Sequence, residues 1–334
     1  RVGMQIHKIA WSDEATLRQF YEILNASQSH GRVHFVGRPF EEALSEWRQD
    51  GVDDQTALVG LWAKGKLAGV AHAWLPPEGS GGAVSAQVDV HPRWRGLGYG
   101  HQLFDALVDL GRQRGATLIL AEAKYPAAQG ETHPYRLFLE GIGMELTTAQ
   151  LILELTLPVA PGHLDRLETQ AKGEFGEQYR ISTWGAIPDD ILPSLCELMS
   201  FVEAEAPAGR GWHADGVSPE SYLSEIAHNA LSGRRRLTSL ATELSTGAVV
   251  GFTEMLTQDG ITRAHQWGTY VHPDHRGHQL GMAVKAASAR RLQEVRTDCV
   301  GVLTSGQTTP GMAAVNARLG FVPAEVRAAF VRTL

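Results

Sequence analysis

VDVHPRWRGLGYGHQLFDA, residues 88–106, is the stretch from which the fold can be inferred. Its first residues end an apolar strand predicted over residues 84–90, and its last residues begin an amphipathic helix. Between them lies the loop of residues 95–100, in which three glycines occur within five positions. Glycines let a ligand approach the backbone closely, and the helix that begins at the loop directs its free N–H groups there. The loop therefore predicts an anion site, most naturally for a phosphate or a pyrophosphate.

A second copy of the pattern, YVHPDHRGHQLGMAVKA, occupies residues 270–286. The offset between Arg95 and Arg276 is 181 positions (276 − 95). Two further pairs keep nearly the same offset and the same order, namely Gly69 with Gly251 and Gly143 with Gly320. Landmarks at a near-constant spacing of this length indicate duplication of a whole domain. We predict an N-terminal domain at residues 1–157, a linker at residues 158–176 and a C-terminal domain at residues 177–334.

The composition is that of a globular protein, with 334 residues of which 43% are hydrophobic and 20% charged. A net charge of −7 argues against a nucleic-acid partner and suits a cationic substrate. The two cysteines, Cys196 and Cys299, suggest no disulfide framework, which predicts a cytoplasmic location. No apolar run is long enough to span a bilayer, so we expect no membrane partner.

Hydrophobic periodicity predicts the same order of elements in each copy. Each copy begins with a strand and two helices, which precede a pair of strands. The strand before the glycine loop comes next, followed by the main helix, a further strand, a short helix and a closing strand. The strands before the loop should be antiparallel, and those that flank the main helix should be parallel. The fold class is therefore α/β with a mixed (α+β) sheet flanked by helices, present twice in tandem.

Other classes of glycine-rich loop have different sequence signatures. A dinucleotide-binding loop requires a different strand order and an acidic residue after the next strand. A nucleotide P-loop requires a Gly-Lys-Ser/Thr sequence that is absent here. A plain glycine turn stays open as the simplest alternative. His272, His275 and His278 have ligand-like spacing but lack convincing Cys or carboxylate partners, so we predict no metal site.

The order of elements and the loop motif resemble the GNAT superfamily of acyl-CoA-dependent N-acetyltransferases, and in particular its tandem, mycothiol synthase-like actinobacterial members. The family loop reads Arg or Gln, two residues, Gly, one residue, then Gly or Ala. Arg95, Gly98 and Gly100 satisfy this pattern. In the second copy Gln279 stands where the middle glycine belongs, and its bulk is expected to shift that loop.

This resemblance implies acetyl-CoA as the cofactor, with its pantetheine arm between two central strands that splay apart. The acetyl group would pass to a primary amine, of a small cationic molecule, by direct attack with the help of a general base. The residues expected to contact the cofactor are Val88, Val90, Arg95, Gly96, Leu97, Gly98, Tyr99 and Gly100 in the first copy, and Tyr270, Val271, Arg276, Gly277, His278, Gln279, Leu280, Gly281 and Met282 in the second.

The resemblance also indicates that the C-terminal copy performs the chemistry. Glu254 and His265 are the candidate bases, because both lie on strands expected to line the split. In the family a tyrosine four residues before the closing glycine often serves as the general acid. Here that position is Asn316, which can only hold a water or the substrate, and it is Leu139 in the first copy.

The acceptor is expected over residues 201–222, between the first two helices of the second copy. The candidate contacts in this segment are Glu203, Glu205, Trp212, His213 and Asp215, and Trp267 is a further candidate contact outside it. His72, which occupies the place of Glu254 in the first copy, keeps that copy open as a catalytic unit. Two other functions stay open: a non-catalytic acyl-CoA sensor, and a protein lysine or N-terminal acetyltransferase. We expect a monomer or a homodimer.

Overall fold

The structure, a computed structural model, describes residues 3–51, 55–205 and 216–334, without the side chains of residues 49–51 and 203–205. The chain forms two compact units. The first contains the residues up to Ile152 together with Ala324–Leu334, and the second contains Leu153–Pro323.

The chain begins with β1 (Met4–Lys8), α1 (Glu14–Ser29), α2 (Phe40–Gly51), β2 (Thr56–Ala63), β3 (Lys66–Trp74), β4 (Ala83–Val90), α3 (Tyr99–Gln113), β5 (Leu118–Pro126), α4 (Pro134–Gly141) and β6 (Glu145–Thr156). It continues with α5 (His163–Phe175), β7 (Tyr179–Trp184), α6 (Leu192–Glu205), α7 (Pro219–Leu231), β8 (Arg234–Glu243), β9 (Val249–Gln258), β10 (Arg263–Val271), α8 (Leu280–Val295), β11 (Gly301–Ser305), α9 (Pro310–Leu319) and β12 (Val322–Thr333).

The sheet of the first unit has the strand order β1-β2-β3-β4-β5-β12. β3 and β4 are antiparallel, and β4 and β5, which flank α3, are parallel, so the predicted directions and the mixed α/β class are confirmed. β12 lies antiparallel to β5 from Glu325 to Thr333. The last strand of the chain thus completes the first unit, whereas the predicted boundaries assign it to the C-terminal domain. Hydrophobic periodicity identifies a strand but carries no information about its partner.

Apolar layers cover both faces of this sheet. On one face Leu103 and Leu107 of α3 pack among buried strand residues. On the other face Phe20 of α1 and Trp47 of α2 are buried with Leu58 of β2. Alternation along each strand places successive side chains on opposite faces, so each strand contributes to both layers.

The second unit repeats this arrangement with the order β11-β10-β9-β8-β7. Here α8 takes the place of α3, and α6 and α7 take those of α1 and α2. The predicted linker differs from the structure, because residues 163–175 form α5. Leu164, Leu167 and Phe175 of α5 are buried, and the helix packs against α8. Apolar residues at helical spacing make this segment part of the second unit's core.

Both cysteines are buried as free thiols. Within the described ranges, no helix combines the length and the apolar character that crossing a membrane requires.

Candidate active site

A split between two strands opens a cavity in the first unit. The parallel pairing of β4 with β5 ends at Ala86 and Ala121, although the two strands continue to Val90 and Pro126. The cavity, of about 440 Å³, extends from this split to the glycine loop. The predicted cofactor residues that line it are Val88, Val90, Arg95, Gly96, Gly98, Tyr99 and Gly100.

The glycine loop presents backbone donors to this cavity. Gly98 is the N-cap of α3 in the left-handed conformation, at φ 79° and ψ 5°, and supplies no side-chain cap. The N–H groups of the first turn are therefore left for a ligand, and the helix dipole makes that ligand an anion. A side chain at Gly100 would meet the Phe138 ring at 3.0 Å, which explains why the helix begins with a second small residue.

Arg95 ties the loop to its neighbours through protein acceptors. Its Nε donates to the Val90 carbonyl at 3.2 Å, and its Nη2 donates to the Ser27 carbonyl and to the Tyr135 hydroxyl. The guanidinium thus fixes the end of β4 against α1 and α4 while it lines the cavity. Leu97, predicted to contact the cofactor, has an exposed side chain.

Asp89 is a site residue that the sequence reasoning passed over. Its side chain lines the cavity and is 2% exposed. It accepts hydrogen bonds from Nε2 of Gln28 at 2.7 Å and from Nε2 of Gln87 at 2.8 Å. Burial raises the pKa of its carboxyl above the ordinary value, although these donors oppose the shift. A carboxylate between two valines in the VDV sequence, directly before the loop, is the signal that could have identified it.

The second unit contains a similar split and loop. The pairing of β10 with β11 ends at His265 and Leu303. Gln279 is the N-cap of α8 at φ 59° and ψ 17°, so the backbone keeps the left-handed conformation of Gly98 instead of shifting as expected. Arg318 Nη1 donates to the Gln279 side chain at 2.9 Å, and Arg276 Nε donates to the Val271 carbonyl at 3.0 Å, as Arg95 does in the first unit.

Most of the other predicted cofactor residues of the second unit lie in its loop and in the first turn of α8. The side chains of Leu280 and Met282 are buried in the core, so these residues offer only backbone groups to a ligand. The His278 ring lies 5.6 Å from the Tyr179 ring, measured between centroids. Tyr179 also pairs its hydroxyl with Nδ1 of His275 at 2.9 Å. No group of three or more His, Cys, Asp or Glu side chains suited to a metal occurs in the described part of the chain.

Glu254 is held in an ion-pair network beneath α7. Arg236 Nη1 donates to its Oε1 at 3.0 Å, and the Tyr222 hydroxyl donates to the same oxygen at 3.4 Å. Arg236 also pairs with Glu225 of α7 at 2.5 Å. Burial raises the pKa of the Glu254 carboxyl, and Arg236 opposes that shift. These contacts give the side chain a structural partner that the sequence did not reveal.

The structure brings two of the three predicted catalytic residues to one face. His265 pairs with Leu256, which is two positions from Glu254 on β9, so His265 and Glu254 lie on the same side of the sheet. The His265 side chain is exposed. Met255, next to Glu254, packs on the opposite face among residues that include Met282 of α8. Asn316 belongs to α9, which packs against α8, and so lies on that opposite face.

His72 of the first unit is buried against an aromatic side chain. Its ring lies 3.7 Å from the Trp74 ring, measured between centroids, and is 2% exposed. Burial, with a smaller contribution from Arg38, lowers the pKa of His72 to about 3. The imidazole is therefore neutral and a weak base at neutral pH.

The predicted acceptor contacts are described only in part. Trp212, His213 and Asp215 lie outside the described residues, and the side chains of Glu203 and Glu205 are not described either. Trp267 is exposed, in the irregular part of β10 where the pairing register with β9 shifts.

Comparisons with known proteins agree with this geometry. Residues 17–133 match the family model described as the acetyltransferase (GNAT) family. No curated protein matches the sequence. A tandem GNAT protein from the clavulanic acid biosynthesis pathway aligns over 99% of this chain and 98% of its own, at 22% identity and a TM-score of 0.70. A GCN5-related N-acetyltransferase from Sphaerobacter thermophilus aligns over 99% and 95%, at 17% identity and a TM-score of 0.58.

These two structures share the fold over nearly the whole chain, whereas the family model covers the first unit up to residue 133. Residues 17–133 of the first unit are thus similar to the GNAT acetyltransferase family, and the whole chain has the fold of the tandem GNAT protein with which it aligns.

Proposed function

We propose that this protein is an acetyl-CoA-dependent N-acetyltransferase that acetylates the primary amine of a small cationic molecule, and that the first unit holds the cofactor. The observation that carries this proposal is the cavity of about 440 Å³, which joins the β4–β5 split to the glycine loop. The prediction from sequence assigns the chemistry to the second copy. The cavity and the buried Asp89 within it favour the first.

The cofactor fits the groups present in this cavity. The N–H groups of the first turn of α3 would hold the pyrophosphate, since the left-handed Gly98 leaves that turn uncapped. The edge of β4 beyond Ala86, which β5 no longer pairs, would bind the amides of the pantetheine arm. When bound, acetyl-CoA supplies the acetyl group as a thioester.

Asp89 would receive the acceptor. An ammonium group entering the cavity gains an ion pair with this buried carboxylate, and the amine must lose a proton before it can attack. The two glutamine amides hold the carboxylate in place without neutralising its charge. A carboxylate with a raised pKa is a stronger base, so Asp89 is suited to accept that proton.

A second candidate centre lies in the second unit, where Glu254 and His265 share a face and Asn316 replaces the usual tyrosine. The acidic and aromatic residues predicted as acceptor contacts belong to this alternative. The left-handed backbone at Gln279, which matches that at Gly98, favours a phosphate contact in this unit as well. Cytoplasmic location and a monomeric or homodimeric state remain part of the proposal.

Calorimetry with acetyl-CoA and thiol release with a panel of amines test the proposed function. Binding at the first loop, with thiol release that depends on a small amine, would support it. Binding without thiol release would indicate an acyl-CoA sensor. Release with lysine peptides alone would indicate a protein acetyltransferase. Loss of thiol release in Glu254→Gln but not in Asp89→Asn would move the chemistry to the second unit.

A further inference from the structure

The cavity wall of the first unit has a polar counterpart in the second. Phe104 lies six residues after the N-cap Gly98, and Leu139 lies four residues before Gly143; both side chains line the cavity. The second unit has Lys285 six residues after its N-cap, Gln279, and Asn316 four residues before Gly320. An ammonium and an amide thus replace two apolar side chains at equivalent positions.

Lys285 is buried without an anionic partner among the described contacts. Its side chain is 2% exposed, and its Nζ lies 5.3 Å from the centre of the Phe321 ring. Burial lowers the pKa of this amine to about 8, so at neutral pH it is still mostly protonated. A buried ammonium is costly unless an anion offsets the lost hydration. A phenylalanine, as in the first unit, would avoid that cost, so packing alone does not account for a lysine here.

Asn316 is a second, independent observation. It is also 2% exposed, and its Oδ1 has no hydrogen-bond partner among the described residues. Buried amide oxygens are normally satisfied, and an unsatisfied one needs a ligand or a rearrangement that supplies a donor. Lys285 and Asn316 lie on α8 and α9, which pack against each other.

We propose that the split between β10 and β11 of the second unit takes an acyl-CoA whose acyl group ends in a carboxylate, recognised by Lys285 and Asn316. This inference rests on the proposed function, because it requires that the repeated fold binds acyl-CoA. On binding, the Lys285 ammonium would donate to one carboxylate oxygen and the Asn316 amide N–H would donate to the other. The two side chains would rearrange so that the same ammonium also donates to Asn316 Oδ1, which has no partner in the structure. A plain acetyl group would leave the Lys285 ammonium without an anion to pair with. The apolar side chains of Phe104 and Leu139 in the first unit, by contrast, suit an acetyl group.

The test compares succinyl-CoA with butyryl-CoA, which have four-carbon acyl groups that end in a carboxylate and in a methyl group. Calorimetry would use the full-length Gly98→Asp protein, in which a carboxylate beside the first loop repels the pyrophosphate of a CoA ester there. We expect succinyl-CoA to bind the second unit at least about tenfold more tightly, as one charge-assisted hydrogen bond would give. Equal affinities would overturn the proposal, as would failure of both esters to bind the second unit.

Lys285→Met is the matched variant, because it keeps the length of the side chain and removes the charge. It should abolish the preference for succinyl-CoA and leave butyryl-CoA binding unchanged or stronger. Asn316→Leu should reduce the preference in part. A preference that survives Lys285→Met would also overturn the proposal. Acetyl-CoA binding at the first loop of the unmodified protein is measured in parallel, so that failure at the second unit alone leaves the proposed function intact.

Discussion

At the scale of single residues, the contacts of a titratable side chain decide whether it can take part in proton transfer. Asp89 and Glu254 are both buried carboxylates with raised pKa values. Asp89 is held by neutral amides and lines a cavity, whereas Glu254 is paired with the Arg236 guanidinium beneath a helix. The charge of Asp89 can therefore pair with a ligand, whereas the charge of Glu254 already pairs with Arg236.

Asp89→Asn therefore tests the proposed base directly. The substitution keeps the shape of the side chain and removes its ability to accept a proton. Turnover with an amine acceptor should fall by about 10²–10⁴-fold, the range that general base catalysis contributes. Acetyl-CoA affinity, measured by calorimetry, should change little. Asp105→Asn, an exposed position on α3, is the control. Unchanged turnover in Asp89→Asn would exclude the role.

Glu254→Gln should act chiefly on stability. Removing one partner of a buried ion pair typically costs about 3–5 kcal/mol, and Glu225 should moderate the loss because it also pairs with Arg236. Urea denaturation of the variant should show the decrease, and the Arg236→Met, Glu254→Gln double variant should recover part of it. Normal stability together with a large loss of turnover would instead make Glu254 the catalytic base.

His72 should make folding stability depend on pH. Its pKa is about 3 in the folded protein and near 6.5 in the unfolded chain, so the unfolded state binds more protons between these values. The stability contributed by the neutral imidazole is complete above pH 6.5 and is lost as the pH falls below it, by up to about 1.4 kcal/mol per pH unit. Denaturation at pH 7 and pH 5 should show a smaller difference in His72→Phe than in the unmodified protein. An equal pH dependence in both proteins would exclude this assignment.

At the scale of elements, the start of a helix determines where an anion can bind. Gly98→Gln would be a weak test, because Gln279 adopts the equivalent left-handed conformation without displacing the backbone. Gly98→Asp and Gly98→Asn form a sharper pair, since both residues tolerate this conformation. The aspartate should weaken acetyl-CoA binding at the first unit by tenfold or more, and the asparagine by much less. Calorimetry that finds equal affinities for the two variants would mean that the loop does not hold the pyrophosphate.

Elements that repeat a motif could be predicted, and those defined by tertiary packing could not. The loop at residues 95–100, the strand directions beside it and the mixed sheet follow from glycine spacing and periodicity. Residues 163–175 look polar as a sequence, yet Leu164, Leu167 and Phe175 give the helix a buried side. Asp89 was missed because the sequence gives its strand position but not the two glutamines that surround it.

At the scale of the whole molecule, the last segment of the chain belongs to the first compact unit and not to the second. β12 returns to pair with β5, although its neighbours in sequence belong to the second unit. This pairing depends on contacts between residues far apart in the chain, which no local pattern encodes. Glu325 of β12, for example, accepts two hydrogen bonds from Arg32, which follows α1 and is 293 positions away.

Glu325→Gln tests the role of β12 in the first unit. Both side chains of the Arg32–Glu325 pair are 4% exposed, so the variant would leave a buried guanidinium without its carboxylate partner. We expect a loss of about 3–5 kcal/mol in denaturation experiments, against less than about 1 kcal/mol for Glu140→Gln, which breaks a more exposed pair with Arg136. Arg32 also donates to the Gln28 carbonyl, and Gln28 holds Asp89, so acetyl-CoA binding at the first unit should weaken too. Equal stability of the two variants would show that the Arg32–Glu325 pair does not hold β12 to this unit.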